Sequence, residues 1–280
     1  MRTVHTIAEM RAWCAPARRP LGFVPTMGAL HAGHGCLLTR ARAESASVAV
    51  SIFVNPIQFN QSADYTRYPR PLEADLEFCE ARAVDIVFAP PAEEMYPQPQ
   101  TTFVEPGPAA EHMEGRFRPG HFRGVATVVL KLFQIVRPDR AYFGEKDAQQ
   151  LAVIRRMVRD LNLPVEIAAV PTVREPDGLA LSSRNRLLSA EERRIAPRLY
   201  QALRAAWQRM ADGETDAEAV KRAAHVVLAA EPCMRVEYLE IAGEAEMQPV
   251  ARIEGPVCVA AAVWLGQTRL IDNLRYRPNR

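Results

Sequence analysis

Cysteine is scarce in this 280-residue chain. The five that occur, Cys14, Cys36, Cys79, Cys233 and Cys258, are scattered, odd in number and form no Cys-x-x-Cys pair. That argues against a disulfide framework or a zinc ribbon. Long apolar runs are missing too. The most apolar stretches, 48–54 and 257–266, are too short for a membrane-spanning helix, and residues 1–13 hold no run of signal-peptide length. Neither sign of charge dominates: 35 Lys and Arg stand against 33 Asp and Glu, a net of +2. A nucleic-acid surface would show as a basic stripe or a strongly basic domain. The expectation is a soluble, cytoplasmic chain with reduced thiols, bound to neither nucleic acid nor membrane. Any anionic ligand must then be met by a few placed groups.

What is present is an alternation of apolar strand-like runs and helical patterns. Leu21–Pro25 reads as a short buried strand, Gly35–Ala46 as a helix, and Ser47–Val54 as a β-branched central strand. Leu72–Arg82 reads as a helix and Asp85–Phe88 as a buried strand. Gly124–Val136 is apolar all round and predicts a buried helix. Ala141–Phe143, Ala148–Asp160 and Val165–Val170 continue as strand, helix and strand. Such alternation predicts βαβ units and a parallel sheet covered on both faces. The texture changes near Pro176-Asp177-Gly178, a turn-forming triplet. Beyond it Ala190–Ala211 predicts one long charged helix and Asp216–Ala230 another. Strands follow at Arg235–Ala242, Val257–Leu265 and Thr268–Leu274. The expected fold is α/β: an N-terminal doubly wound parallel sheet over 1–175 with a smaller α+β lid domain over 176–280.

Chemistry-bearing residues gather where predicted strands end. Thr26-Met27-Gly28-Ala29-Leu30-His31-Ala32-Gly33-His34 lies between a strand and a helix. In an open parallel sheet, ligands bind beyond the carboxyl ends of strands, and a helix N-terminus favours phosphate. The two histidines, three apart, share one face of a first helical turn. A zinc site there lacks a third ligand at a usual spacing. Asn55 and Gln58 follow the next strand and carry amides that donate and accept. Arg123, in Gly120–Val125, suits a carboxylate or phosphate, or equally a structural ion pair; His121 reads as structural. Gly144-Glu145-Lys146-Asp147 precedes Gln149-Gln150 at another strand-to-helix turn. Lys146 is a compact positive charge for phosphates, and Asp147 also suits a helix N-cap. Leu181-Ser182-Ser183-Arg184, past the boundary, reads as a closing phosphate clamp.

The His-x-Gly-His segment resembles that of adenylyl-transferring α/β proteins. Together the five ordered motifs, spread over residues 20–190, resemble the pantothenate synthetase family. The resemblance implies a Rossmann-like fold of the HxGH adenylyltransferase type and an ATP-dependent amide-forming ligase of pantothenate biosynthesis. It implies that pantoate is joined to β-alanine through a pantoyl-adenylate, with AMP and pyrophosphate released. ATP would lie along Met27–His34, Gly144–Asp147, Val173 and Leu181–Arg184, with Val173 on the adenine side. Pantoate and β-alanine would meet Asn55, Gln58 and Gln150. His34, His31 and Lys146 would be catalytic, with His34 the proton donor. Mg2+ is expected mostly on phosphate oxygens and water, with Asp75 as a protein partner. A homodimer is implied, with 139–143 or 124–136 near its contact.

The chain departs from the family pattern at Gly35-Cys36, where x-Ser is more usual, and at Leu181, where methionine is usual. Gly35 weakens a helix start by roughly 0.5–1 kcal/mol. Leu181 is similar in volume to methionine and is expected to matter little. Two rival readings remain: a nucleotidylyltransferase that never forms an amide, and a nucleotide-binding regulatory module. The first has no use for the Gln58 and Gln150 pair; the second predicts no pyrophosphate release with pantoate.

Overall fold

Strands β1 (Arg2–Val4), β2 (Leu21–Thr26), β3 (Ser47–Ile52), β4 (Ile86–Phe88), β5 (Arg140–Gly144) and β6 (Glu166–Val170) form one sheet in a computed structural model. It describes residues 1–60 and 62–278, and of Ser62 and Ala63 only the backbone. The helices, in chain order, are α1 (Ile7–Cys14), α2 (Ala32–Glu44), α3 (Ser62–Arg67), α4 (Leu72–Glu80), α5 (Ala92–Met95), α6 (Glu114–Phe117), α7 (His121–Val136), α8 (Ala148–Asp160), α9 (Ala190–Ile195), α10 (Arg198–Ala211) and α11 (Ala217–Ala229). Strands β7 (Met234–Gly243), β8 (Val257–Leu265) and β9 (Thr268–Tyr276) form a second sheet.

The chain divides into two compact units. The first holds residues 1–106, 118–145 and 153–171; the second holds 107–117, 146–152 and 172–280.

In the first unit every strand pairing is parallel, in the order β1-β4-β3-β2-β5-β6. The β-branched, continuous runs of β3 and β4 are buried on both faces, as a covered parallel sheet requires. Alternate residues face opposite sides. Val24, Val48, Val50 and Val87 join one cluster with Leu37, Leu38 and Ala41 of α2. On the other face Phe23 and Phe143 meet Phe133 of α7 edge-on, with ring centroids 6.5 and 6.4 Å apart. Strand order runs outward from β2 through β3 and β4, and in the opposite sense through β5 and β6. The reversal between β2 and β5 is the switch point where such sheets bind ligands.

In the second unit β7-β8-β9 is an antiparallel meander. Leu199, Ala202, Leu203, Ala206 and Met210 of α10, spaced at helical period, pack with Val220, Ala224 and Leu228 of α11 against β7 and β8. Another cluster joins Met113, Ala148 and Ala152 to Ala242, Cys258 and Ala260.

Two expectations are corrected, and two elements are added. Ala190–Ala211 is two helices, because Pro197 removes a backbone donor and α10 restarts after it. Helix α2 begins at Ala32 and not near Gly35, because His31 caps it. The edge strand β1 and helix α1 were not foreseen; three residues with polar Arg2 and Thr3 carry no strand signature, though Thr6 and Glu9 form a capping box for α1. Among the described residues no helix is long and apolar enough to cross a membrane.

Candidate active site

Strand β2 ends in a turn that takes two successive left-handed residues, Gly28 at φ 83° and Ala29 at φ 52°. Glycine adopts that region freely; alanine does so at a cost of roughly 1–2 kcal/mol. The buried carboxylate of Asp75, on α4, holds the turn. Its two oxygens accept the backbone N–H groups of Ala29 at 2.8 Å and Leu30 at 2.7 Å. This side chain was expected on the metal. Each of its oxygens accepts one backbone N–H and keeps a further lone pair, and a Cβ at Gly28 would meet Asp75 Oδ2 at 2.8 Å.

The same turn delivers two histidines to the start of α2. His31 is its N-cap, and His31 Nδ1 accepts the Gly33 N–H at 3.1 Å. His34 Nδ1 reaches back to accept the His31 N–H at 3.3 Å. This is a reciprocal capping box built from two imidazoles. The rings lie 4.2 Å apart between centroids. Each Nδ1 acts as an acceptor, so each ring carries its hydrogen on Nε2.

Asn55 and Gln58 follow β3, in a loop pressed against the first turns of α7. Both are buried. Asn55 Nδ2 donates to Gln58 Oε1 at 3.0 Å and to the Gly124 carbonyl at 3.1 Å. His121 Nδ1 lies 2.9 Å from the Gln58 carbonyl, so His121 is structural, as its sequence suggests. Gly124 is where helix and loop touch: a Cβ there would lie 2.5 Å from the Ile57 carbonyl oxygen and 2.6 Å from Gln58 Cα. Gln58 Nε2 points at Met27 Sδ, 2.8 Å away. Beside them a cavity lined by Met27, Gly28, Phe53, Val54, Tyr65 and Arg70 opens at the strand ends. Arg123 takes the ion-pair role, 3.4 Å from Glu105 and stacked on Phe103.

Gly144 ends β5, and a Cβ there would meet nothing within 4 Å. Glu145, half-buried, opens a single 3-10 turn that ends at Asp147.

The second unit gathers its own set. Lys146, Ser182, Arg184 and Asp272 line one crevice. Ser182 caps the 3-10 turn Ser183–Leu187 by accepting the Arg184 N–H. Lys146 Nζ lies 3.7 Å from Asp147 Oδ1, and its carbonyl accepts from Asn273 Nδ2 at 2.7 Å. Arg174 grips Asp272 with two bonds of 2.6 and 3.0 Å and also donates to the Gly178 and Asn273 carbonyls. Burial pushes the Asp272 carboxyl up, against the pull of Arg174. The Val173 carbonyl accepts the Leu181 N–H at 2.9 Å, closing the hairpin that leads into Ser182–Arg184. Gln150 is half-buried in the first turn of α8. Its neighbour Gln149 is buried and ties that turn to 107–117, accepting from Glu114 N and donating to the Ala109 and His112 carbonyls.

Residues 2–275 match the family model described as pantoate-beta-alanine ligase. The chain belongs to the pantoate–β-alanine ligase family. It is 56% identical over 274 residues to the pantothenate synthetase of Chloroflexus aurantiacus, covering 98% of this chain and 97% of that protein. It is 52% identical over 276 residues to that of Thermotoga petrophila, covering 98% and 99%. The crystal structure of the pantoate-beta-alanine ligase from Thermus thermophilus superposes with a TM-score of 0.94 at 51% identity, covering 99% of this chain and all of that one. The Francisella tularensis ligase, complexed with beta-gamma ATP and beta-alanine, gives 0.80 at 35% identity, covering 98% and 97%. The chain is thus a ligase of pantothenate biosynthesis with a Rossmann-like sheet, as its motifs imply.

Arg174, Asp272 and Asn273 lie outside the pantoate–β-alanine ligase motifs legible in this chain. The Asp-Asn pair on β9 is a signal only once the fold sets it beside Lys146. Tyr96 was passed over for the same reason.

Proposed function

We propose that this ligase condenses pantoate with β-alanine through a pantoyl-adenylate, releasing pyrophosphate and then AMP. The observation that carries the reading is the imidazole capping box at the switch point. With both Nδ1 atoms accepting, His31 and His34 present Nε2–H donors, and donors are what a phosphate gaining charge needs. A pantoate carboxylate oxygen attacks the α-phosphorus in line, and the bond to the β-phosphate oxygen breaks. Pyrophosphate leaves with the electron pair. His34 donates to the departing oxygen, His31 supports it, and Lys146, Ser182, Ser183 and Arg184 offer positive charge and hydroxyls. The β-alanine amine then attacks the adenylate carbonyl, AMP leaves, and the nitrogen loses a proton to form the amide. The adenylate is already a mixed anhydride, so no enzyme nucleophile is required; excluding water protects it.

The backbone of Met27–His34, Gly144–Asp147, Val173 and Leu181–Arg184 is assigned to ATP, and Asn55, Gln58 and Gln150 to the acid and amine. Mg2+ enters as the ion of the nucleotide, on phosphate oxygens and water. Among the described residues no group of three or more His, Cys, Asp or Glu could hold a metal, and no step here is routed through one. The family resemblance supports a cytoplasmic homodimer with a lid domain over 176–280.

The test is an assay with ATP, magnesium, pantoate and β-alanine, omitting each in turn. Pyrophosphate release requires pantoate, and AMP release requires β-alanine as well. His34→Ala lowers the rate of pyrophosphate release by about 100-fold, the scale of one lost transition-state donor. Normal AMP formation in that variant removes the role given to His34.

A further inference from the structure

Gln58 does not choose its own orientation. We propose that Tyr96 is a positioning residue that, together with the Gly124 carbonyl, holds Asn55 so that the Gln58 amide aims its N–H at the bound hydroxy acid. The inference rests on the assignment of Gln58 to pantoate and adds the sense of the hydrogen bond it makes.

One group in this cluster has no freedom. The Gly124 carbonyl only accepts, so the Asn55 atom 3.1 Å from it must be Nδ2. The second hydrogen of Nδ2 goes to Gln58, so the Gln58 atom at 3.0 Å must be Oε1. Asn55 Oδ1 then faces the Tyr96 hydroxyl at 2.8 Å, and the tyrosine must donate. Asn55 and Gln58 are 1% and 6% exposed, so water has little access to repair a wrong orientation. Burial pushes the Tyr96 hydroxyl well above its usual range, which keeps it a donor at neutral pH. The Tyr96 ring is itself set by Lys131, whose Nζ is 4.5 Å from the centroid, and by Phe53 at 6.2 Å.

With Oε1 turned to Asn55, Gln58 aims Nε2 away from it. In this structure Nε2 points at Met27 Sδ, a weak acceptor. A carboxylate or hydroxyl oxygen of the acid is a stronger one and takes its place. The relay therefore selects an acceptor at that point of the substrate and disfavours a group that can only donate.

Tyr96→Phe keeps the ring and removes the donor. The expected result is a pantoate KM raised about two- to tenfold, the scale of one neutral hydrogen bond, with the KM for ATP and kcat within twofold of wild type. In a Gln58→Ala background the same substitution adds nothing, as a double-mutant cycle would record. Asn55→Asp, which replaces Nδ2 by oxygen and leaves Tyr96 in place, raises the pantoate KM further. An unchanged pantoate KM in Tyr96→Phe or in Asn55→Asp, or an effect that persists in the Gln58→Ala background, overturns the relay. If Gln58→Ala alone leaves the pantoate KM unaltered, the assignment of Gln58 to pantoate fails, and the relay with it.

Discussion

Replacing Asp75 by asparagine alters one atom of a side chain that holds the turn before the histidines. In the native turn each carboxylate oxygen accepts one backbone N–H, from Ala29 and Leu30, at 2.8 and 2.7 Å. A hydrogen bond to a charged group contributes roughly 1.5–3 kcal/mol. Asparagine keeps one acceptor and sets an NH2 against the other N–H, with little water to intervene at 3% exposure. The loss is one charge-assisted bond plus a facing pair of donors, about 2–4 kcal/mol. Part returns as Ala29 relaxes from φ 52°, a strain of roughly 1–2 kcal/mol. The net, about 1–3 kcal/mol, lowers the melting temperature by roughly 2–12 °C at about 2–4 °C per kcal/mol. Differential scanning calorimetry reads this directly. Pyrophosphate release slows, because the turn that aims both imidazoles loosens, while the magnesium concentration for half-maximal rate stays at its wild-type value. Native melting with a large shift in magnesium dependence would refute this reasoning and return Asp75 to the metal.

Gly124→Ala tests the contact between α7 and the Asn55–Gln58 loop. Helix propensity favours alanine by roughly 0.5–1 kcal/mol, but the new Cβ meets backbone atoms at 2.5–2.7 Å, an overpacking that costs about 1–3 kcal/mol. A lower melting temperature and a raised pantoate KM are expected from calorimetry and steady-state kinetics; a more stable protein with native KM would show that the loop yields freely. Asp139 supplies a pH dependence. Burial pushes its carboxyl up, but the Leu21 N–H and the Arg19 guanidinium outweigh that and hold it below its usual range. A lowered acid contributes stability that is complete above its unfolded value of about 3.9. That contribution is lost as pH falls through the lower folded value. Acid unfolding curves of wild type and Asp139→Asn should therefore differ above pH 4 and converge below it; parallel curves throughout would contradict the sign.

Much of the first unit was legible because its signals are local. The runs at 47–54 and 85–88 are β-branched and continuous, and they became β3 and β4. The helix at 148–160 was read to its observed ends. Elsewhere the local signal is weak or overridden. Histidine is not a customary cap, so the start of α2 was set three residues late. Charged periodicity runs on across Pro197, which is where the helix breaks. The segments Met27–His34 and Gly144–Asp147 lie at strand-to-helix turns, but the groups that hold them do not announce themselves. Arg174 meets Asp272 across 98 positions, Asn273 meets Lys146 across 127, and Tyr96 meets Asn55 across 41. No periodicity or spacing encodes such pairs; the fold creates them.

The paired imidazoles that open α2 carry a consequence for how this helix start can vary. An asparagine or glutamine put in place of either ring could still accept an N–H and cap the helix, yet would bring a different donor to a phosphate. An arginine or lysine could serve the phosphate but has no lone pair with which to accept. The imidazole alone among these joins an acceptor nitrogen that caps the helix to a donor nitrogen across a rigid ring, so architecture and chemistry at this corner change together.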